Sequence, residues 1–193
     1  MYTVLRTVVA AMLLFAGPVA ADTVLHMSSE AGDYIGQGRD YTITTNTHTF
    51  NANRNYDNGV SFYITAAGAD FWFVNFAAPD EADLTAGTYA DATRWPFQAA
   101  GVPGLSVSGE GRGCNQLVGH FDVRDVVYGA DGSVEQFAAD FEQHCEGADR
   151  PALTGQIRFN SDVPLTPDEP SGNEPPVAEP VQLTRLTATA SST

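Results

Sequence analysis

Short runs in which apolar and polar residues alternate dominate the chain between Asp22 and Ser161. In one of them Tyr41 and Ile43 alternate with threonines, and the last clear run is Ala152–Phe159. Alternation with a period of two is typical of strands with one buried face, and these runs are rich in β-branched and aromatic residues. Seven to ten such runs in about 140 residues, separated by turn residues, predict one all-β domain. An antiparallel β-sandwich, jelly-roll-like or Ig-like, is the most probable architecture on this pattern.

Two runs are particularly informative about strand pairing. A turn at Asp131-Gly132 joins two long alternating runs, of which the first contains Phe121 and the second Phe141. Phe121 and Phe141 lie on the same face only if the sequence positions of each directly opposed residue pair add up to an even number. A symmetric two-residue turn at Asp131-Gly132 gives an odd sum. An even sum therefore requires either a loop with an odd number of residues or a β-bulge in one strand, and the adjacent apolar residues Val126 and Val127 favour a bulge near them.

The amino terminus has the three parts of a secretory signal. Arg6 precedes an apolar run, and small residues end the segment at Ala21. The apolar run is too short, and too interrupted by Gly17-Pro18, to cross a membrane. We therefore predict a signal peptide over residues 1–21 and an exported protein, periplasmic, extracellular or at the cell surface, with no membrane insertion in its mature form. The β-domain is predicted over residues 22–163.

The composition changes beyond that domain. Six prolines between positions 164 and 180 lie among glutamate, aspartate, serine and glycine. Such a segment has too little apolar surface to offset the entropy lost on ordering. It predicts a disordered linker and tail, rich in proline and glutamate, over residues 164–193.

Export determines how the two cysteines are interpreted. Cys114 and Cys145 are the only cysteines of the chain, and no Cys-x-x-Cys motif occurs. In an oxidising compartment two cysteines most simply form a structural disulfide. Closing a loop of about 30 residues is worth roughly 3–4 kcal/mol of stability in the chain-entropy model.

The charge balance excludes several classes of partner. The nine basic residues are all arginine, against 24 aspartates and glutamates, and the formal net charge is −15. Binding to nucleic acid or to anionic lipid headgroups requires clustered cationic groups, so neither is expected. Strong acidity favours solubility and is compatible with an affinity for divalent cations.

An acidic stripe is predicted on the return strand of the long hairpin. Asp140, Glu142 and His144 lie at two-residue spacing on the face opposite Phe141, and the matching face of the partner strand carries His120 and Asp122. Two carboxylates beside a histidine are candidates for acid–base chemistry or for holding a divalent metal such as calcium. A solvated outer face produces the same alternation, and ion pairs would neutralise it. The candidate partners are Arg112, Arg124 and Arg158.

Aromatic residues give the most concrete ligand-binding hypothesis. Trp95 lies beside Pro96, outside a regular strand, and is expected to be partly exposed. With Tyr89, Asn115 and Arg112 it forms the predicted ligand-binding set for a sugar or a peptide. The run Phe71–Phe76 is almost wholly apolar and predicts a strand buried on both faces. The aromatic candidates for stacking are Trp72, Tyr89, Trp95 and Tyr63, with Trp72 more simply explained as core.

Four motifs suggest a family. They are Gly-Asp-Tyr-Ile-Gly-Gln-Gly at 32–38, Arg-Trp-Pro-Phe-Gln at 94–98, Gly-Arg-Gly-Cys-Asn at 111–115, and Ala-Asp-Phe-Glu-Gln-His-Cys-Glu-Gly at 139–147. In these motifs the chain resembles a group of uncharacterised exported bacterial β-sandwich domains, often found in larger surface or secreted proteins. The resemblance covers most of residues 22–161. It implies export and the domain limits, and it implies no reaction.

These features predict a non-enzymatic exported module for binding or adhesion. Its expected partner is carbohydrate or another envelope protein, with calcium as the one candidate cofactor. A small secreted hydrolase that uses Asp140, Glu142 and His144 is the alternative from another class. A purely structural domain that contacts another protein is the third.

Overall fold

The computed structural model describes residues 21–68 and 70–166, so the predicted signal peptide up to residue 20 and the tail beyond residue 166 lie outside the described residues. Within this part of the chain there is no helix of the length and apolarity needed to cross a membrane. A short 3-10 turn lies at Pro79–Glu81. The strands are β1 (Asp22–Ser29), β2 (Tyr41–Thr44), β3 (Thr49–Arg54), β4 (Val60–Thr65), β5 (Phe71–Ala77), β6 (Gly87–Arg94), β7 (Gly104–Gly109), β8 (Leu117–Tyr128), β9 (Val134–Cys145) and β10 (Ala152–Ser161).

The ten strands form one continuous sheet in the order β2-β1-β10-β9-β8-β6-β7-β5-β4-β3. Neighbouring strands are antiparallel except β6 and β7, which are parallel. Strands β2 and β3 follow each other in the chain yet lie at opposite edges of the sheet, which curls as a half-barrel. The prediction of an all-β domain is therefore confirmed, whereas the finer prediction of a sandwich of two sheets is not.

The apolar core lies inside the curl. Alternate residues of each strand point inward, and aromatic side chains from distant strands meet there. The ring of Phe62 on β4 lies 5.6 Å from that of Phe137 on β9, and Phe76 on β5 lies 5.1 Å from Phe121 on β8. These contacts place the inner face of β4 and β5 against the inner face of β8 and β9. The outer faces of the same strands point away from this core.

The hairpin of β8 and β9 has the predicted register. Phe121 lies directly opposite Phe141, and Val123 lies opposite Ala139, so these residues share one face as predicted. The register then shifts so that Asp125 faces Ala138, which leaves one additional residue, a β-bulge, in β8. The bulge therefore exists, and it lies slightly before the predicted Val126 and Val127.

The predicted disulfide is confirmed. Cys114 and Cys145 are joined, with their Cα atoms 5.1 Å apart. Glu146 strengthens the same junction, because its Oε1 accepts the backbone N–H of Asn115 at 2.9 Å and its own backbone N–H donates to the carbonyl of Gln116 at 3.0 Å. The two cysteine-containing motifs therefore fold as one structural unit at the open end of the hairpin.

A buried carboxylate organises the glycine-rich loop of residues 30–38. Asp33 accepts the backbone N–H of Gly36 at 2.6 Å and the hydroxyl of Ser29 at 2.9 Å. The guanidinium of Arg112 donates to the carbonyl of Ile35 at 2.8 Å and so ties this loop to the turn before Cys114. These bonds give the loop a structural role.

Candidate functional site

The predicted acidic stripe lies on one outer surface of β8 and β9. His120 faces Glu142 and Asp122 faces Asp140 across the hairpin, and His144 follows on β9. All five side chains point away from the core, as the alternation predicted. Asp122 is also hydrogen-bonded to Thr88 on β6.

Asp140 is held between two guanidinium groups. Its Oδ2 accepts a hydrogen bond from Nε of Arg124 at 2.8 Å, and its Oδ1 lies 2.8 Å from Nη2 of Arg158 as an ion-pair contact. Arg158 is only 1% exposed. A cation at Asp140 would have to displace both arginines, so this carboxylate is poorly suited to bind metal. Among the described residues, no three His, Cys, Asp or Glu side chains form a group that could hold a metal ion.

His144 is positioned to carry a proton on each ring nitrogen. Its Nε2 lies 3.0 Å from a carboxylate oxygen of Glu142, and its Nδ1 lies 2.6 Å from the carbonyl oxygen of Arg150. Burial opposes the charged imidazolium, but hydrogen bonds to the Arg150 carbonyl and to Glu142 outweigh it and raise the pKa of His144. His144 and Glu142 therefore form a local ion pair at acidic pH.

This ion pair predicts a pH-dependent contribution to stability. A histidine whose pKa is raised on folding stabilises the fold fully below its unfolded pKa, which is about 6.5, and loses that contribution as the pH rises through the folded pKa. We expect His144→Gln to destabilise the protein more at pH 5.5 than at pH 8.5, as measured by urea unfolding at both values. Glu142→Gln should weaken the pH dependence of the native protein. An equal effect of His144→Gln at both pH values would contradict the assignment.

The structure does not bring the four predicted ligand-binding residues to one place. Tyr89 stacks on Phe121 with ring centroids 4.6 Å apart, and its hydroxyl bonds to the backbone of Thr85. Arg112 is committed to the Ile35 carbonyl and, at 2.8 Å, to the carboxylate of Glu110. Both side chains therefore have structural partners.

Arg94, the residue before Trp95, reaches the backbone of Asn115. The guanidinium of Arg94 donates to the Asn115 carbonyl at 3.4 Å and lies 4.7 Å from the ring centre of Phe97. The Trp95–Pro96 peptide bond is cis. The ring of Tyr56 packs 5.6 Å from that of Trp95. Tyr56, on the turn between β3 and β4, and Phe97, on the loop after β6, are 69% and 71% exposed and are the two most exposed aromatic residues described.

A second aromatic surface lies on β4 and β5. The rings of Tyr63 and Phe73 are stacked, 4.8 Å apart with an interplanar angle of 17°, and are 44% and 39% exposed. Phe71 approaches the edge of Phe73 at 5.7 Å. We call the outward-facing side chains of β3, β4, β5 and β7 the neutral face, since none of them is charged. It consists of Thr49, Asn51, Asn53, Ser61, Tyr63, Thr65, Phe71, Phe73, Asn75, Ser106 and Ser108.

The sequence-based interpretation of β5 is wrong at one face. The apolar run predicted a strand buried on both sides, and the inward side chains of Trp72, Val74 and Phe76 are core. On the outer face Asn75 and Ala77 are buried as well, whereas Phe73 lies at the surface. An aromatic run is ambiguous because exposed aromatic residues produce the same pattern as buried ones. The alternation of Ser61 and Tyr63 with apolar residues on the neighbouring strand was the available signal.

A shallow depression adjoins one end of the neutral face. Asp70, Phe71, Glu110 and Gly111 line it. Both carboxylates have cationic or ionisable neighbours, since Asp70 lies 3.0 Å from Nε2 of His48 and Glu110 contacts Arg39 at 3.4 Å as well as Arg112. The two acidic side chains of the depression are therefore paired with basic or ionisable side chains.

The fold and this geometry define an all-β domain with one disulfide, an ion-paired acidic stripe and a neutral aromatic face. Comparisons with protein-family models, with curated proteins and with solved structures give no match. The resemblance to exported bacterial domains therefore stays a prediction. The functional inference rests on the surfaces of this chain.

Proposed function

We propose that the protein is an exported, non-enzymatic binding module that receives carbohydrate on its neutral face. The amino-terminal pattern supports export, as does the Cys114–Cys145 disulfide, because disulfides persist mainly in oxidising compartments. The two opposed inner faces support the sandwich-like shape expected of the exported domains that the chain resembles. The proposal assigns no reaction to the protein.

The exposed stack of Tyr63 and Phe73 is the observation that carries the proposal. Both rings lie on paired strands and are fixed by each other, so a ligand would lose little side-chain entropy on contacting them. Flat aromatic surfaces suit the apolar faces of sugar rings, and the tyrosine hydroxyl adds a polar contact. Asn51 and Ser108, which flank the two rings in the same cross-strand row, offer donors and acceptors to sugar hydroxyls.

The absence of charged side chains on the neutral face favours carbohydrate over the other classes of partner. The chain is strongly acidic, yet no residue of the neutral face is charged. A cationic peptide or an anionic lipid would find no complementary charge there. A stable protein interface buries about 800 Å² per partner around an apolar centre. Two stacked rings framed by amides and hydroxyls are a small apolar area by comparison, so a neutral polyhydroxylated ligand fits best.

The acidic stripe supports hydrolysis less well. A general acid must be within hydrogen-bond reach of the substrate atom that it protonates. Asp140 is instead in contact with two guanidinium groups, and Glu142 is bonded to His144. We therefore assign these residues to stability. For the same reason the proposal assigns no calcium site to this stripe.

The first test is a glycan array probed with the mature protein, followed by titration calorimetry on the oligosaccharide that is retained best. We expect Phe73→Ala to weaken binding at least about tenfold, which corresponds to about 1.4 kcal/mol. The ring is partly exposed, so the fold should persist. Tyr34→Ala is the matched control, because Tyr34 is an exposed aromatic residue on the separate loop of residues 30–38.

Two outcomes would contradict the proposal. One is that no neutral glycan is retained by the native protein at millimolar concentration. The other is that Tyr34→Ala weakens binding as much as Phe73→Ala does. Release of sugar from a bound oligosaccharide would instead favour the hydrolase alternative.

A further inference from the structure

The contacts of Gly104 show where the Trp95 loop, residues 95–103 between β6 and β7, lies relative to the neutral face. Gly104 begins β7, next to the buried Leu105, and it pairs with Ala77 in the outward-facing row of β5. A Cβ atom on Gly104 would lie 3.1 Å from Cδ1 of Trp95 and 3.0 Å from Cδ of Gln98. Trp95 and Gln98 therefore pack directly on the outer surface of β7, at the end of the neutral face.

The distance from this loop to the exposed stack follows from strand geometry. Phe73 pairs with Ser108, which is four residues after Gly104 on the same strand. At about 3.3 Å per residue, the Trp95 loop and the Tyr63–Phe73 stack are separated by roughly 13 Å along β7. The outward side chains between them are Asn75 and Ser106, both neutral. Asn75 is only 7% exposed and is bonded to Ser61 and to the Ser106 carbonyl, so the side chains that a ligand can reach there are the half-buried Ser61 and Ser106. Aromatic groups therefore mark both ends of one uncharged strip.

The Trp95 end of the strip is held rigidly. Asp57 is 6% exposed, and its Oδ2 accepts hydrogen bonds from Nε1 of Trp95 and Nε2 of Gln98, both at 2.9 Å. These bonds fix a loop that crosses from β6 to β7 onto the turn between β3 and β4. The exposed rings of Tyr56 and Phe97 flank the fixed tryptophan. Such preorganisation lowers the cost of binding at this end.

We infer that the neutral face and the Trp95 loop form one continuous track for an extended, uncharged polysaccharide chain rather than for a single sugar. This inference rests on the proposed function and specifies its ligand class. One portion of the polysaccharide lies on Tyr63 and Phe73, and the middle portion bonds to Ser61 and Ser106. A further portion reaches Phe97 on the loop and Tyr56 on the turn beside it.

The test is a length series of the neutral glycan identified on the array, titrated calorimetrically into three proteins. These are the native protein, Phe73→Ala, and the double variant Tyr56→Ala/Phe97→Ala, whose two rings are solvent-exposed and so dispensable for folding. Native affinity should rise with oligosaccharide length and then level off. Phe73→Ala should weaken binding at every length. The double variant should bind the shortest active oligosaccharide normally and the long ones at least about tenfold less tightly.

The failure of this inference is distinguishable from that of the proposed function. If the native protein binds short and long oligosaccharides equally, or if the double variant affects all lengths alike, the extended track is wrong while carbohydrate binding stands. If no length binds, both are wrong. Preferential binding of acidic oligosaccharides would also overturn the inference, because the strip lacks the cationic groups that they require.

Discussion

Replacement of Asp140 by alanine is expected to lower the free energy of unfolding by about 3–5 kcal/mol, because it leaves a buried cation without its counterion. The guanidinium of Arg158 is almost completely buried between β9 and the segment that follows β10. It donates to the carbonyls of Ala139, Val163 and Pro164, but Asp140 is the carboxylate in contact with it. Chemical unfolding of the variant, monitored by fluorescence, measures the loss.

Arg124→Ala is the matched control, because it shows how much of the stability loss comes from an exposed ion pair alone. Arg124 contacts the same carboxylate at 2.8 Å, but its side chain is half exposed. Exposed ion pairs contribute about 0–1 kcal/mol, so Arg124→Ala should cost at most about 1 kcal/mol. A loss for Asp140→Ala no larger than that for Arg124→Ala would show that the buried pair is not a major source of stability.

Removal of the disulfide in the double variant Cys114→Ala/Cys145→Ala should cost about 3–4 kcal/mol, given the sequence separation of 31 residues. The cross-link restricts the unfolded chain, and it joins two turns that are otherwise held by the bonds of Glu146. For a domain of this size the loss corresponds to a fall in melting temperature of about 10 °C, measurable by calorimetry.

Treatment of the native protein and of the double variant with a reductant is the control for this prediction. Reduction of the native protein should reproduce the melting temperature of the double variant, and the same reductant should leave the double variant unchanged. An unchanged melting temperature on reduction would mean that the disulfide does not stabilise the domain.

Local patterns were sufficient to predict much of the fold. Period-two alternation identified the strands. The parity of Phe121 and Phe141 required a loop with an odd number of residues or a bulge, and the hairpin contains both, a five-residue loop at 129–133 and a bulge in β8. The disulfide followed from two cysteines in a chain with a predicted export signal. Of the three arginines predicted as partners for the acidic stripe, Arg124 and Arg158 contact Asp140, whereas Arg112 contacts Glu110 and the Ile35 carbonyl instead. These inferences depend on neighbouring residues or on composition, which the sequence displays directly.

The order of the strands was not predictable in this way. Strand β6 lies between β8 and β7, and β2 and β3 lie at opposite edges although a short turn joins them. Such pairings depend on which apolar faces meet across the core, as Phe62 meets Phe137, 75 positions later. No local pattern in either strand specifies its partner.

The candidate site was only partly accessible to sequence reasoning. Trp95 was expected to be partly exposed, but its bond to Asp57, 38 positions earlier, depends on tertiary structure. Tyr89 was proposed as a ligand contact, whereas its ring stacks on Phe121. Phe73 was assigned to the core because an aromatic run does not show which of its faces is covered. The neutral face emerges only when β3, β4, β5 and β7 are placed side by side.

The most direct test of the central claim is a titration of the isotopically labelled protein with the retained glycan, followed by two-dimensional amide NMR. If the neutral face is the binding surface, the largest shifts will occur at Tyr63, Phe73, Ser106 and Ser108. Residues of the acidic stripe, such as His120 and Glu142, will be unaffected. Shifts concentrated on the acidic stripe, with none on β4 and β5, would contradict the account and move the binding site to the hairpin.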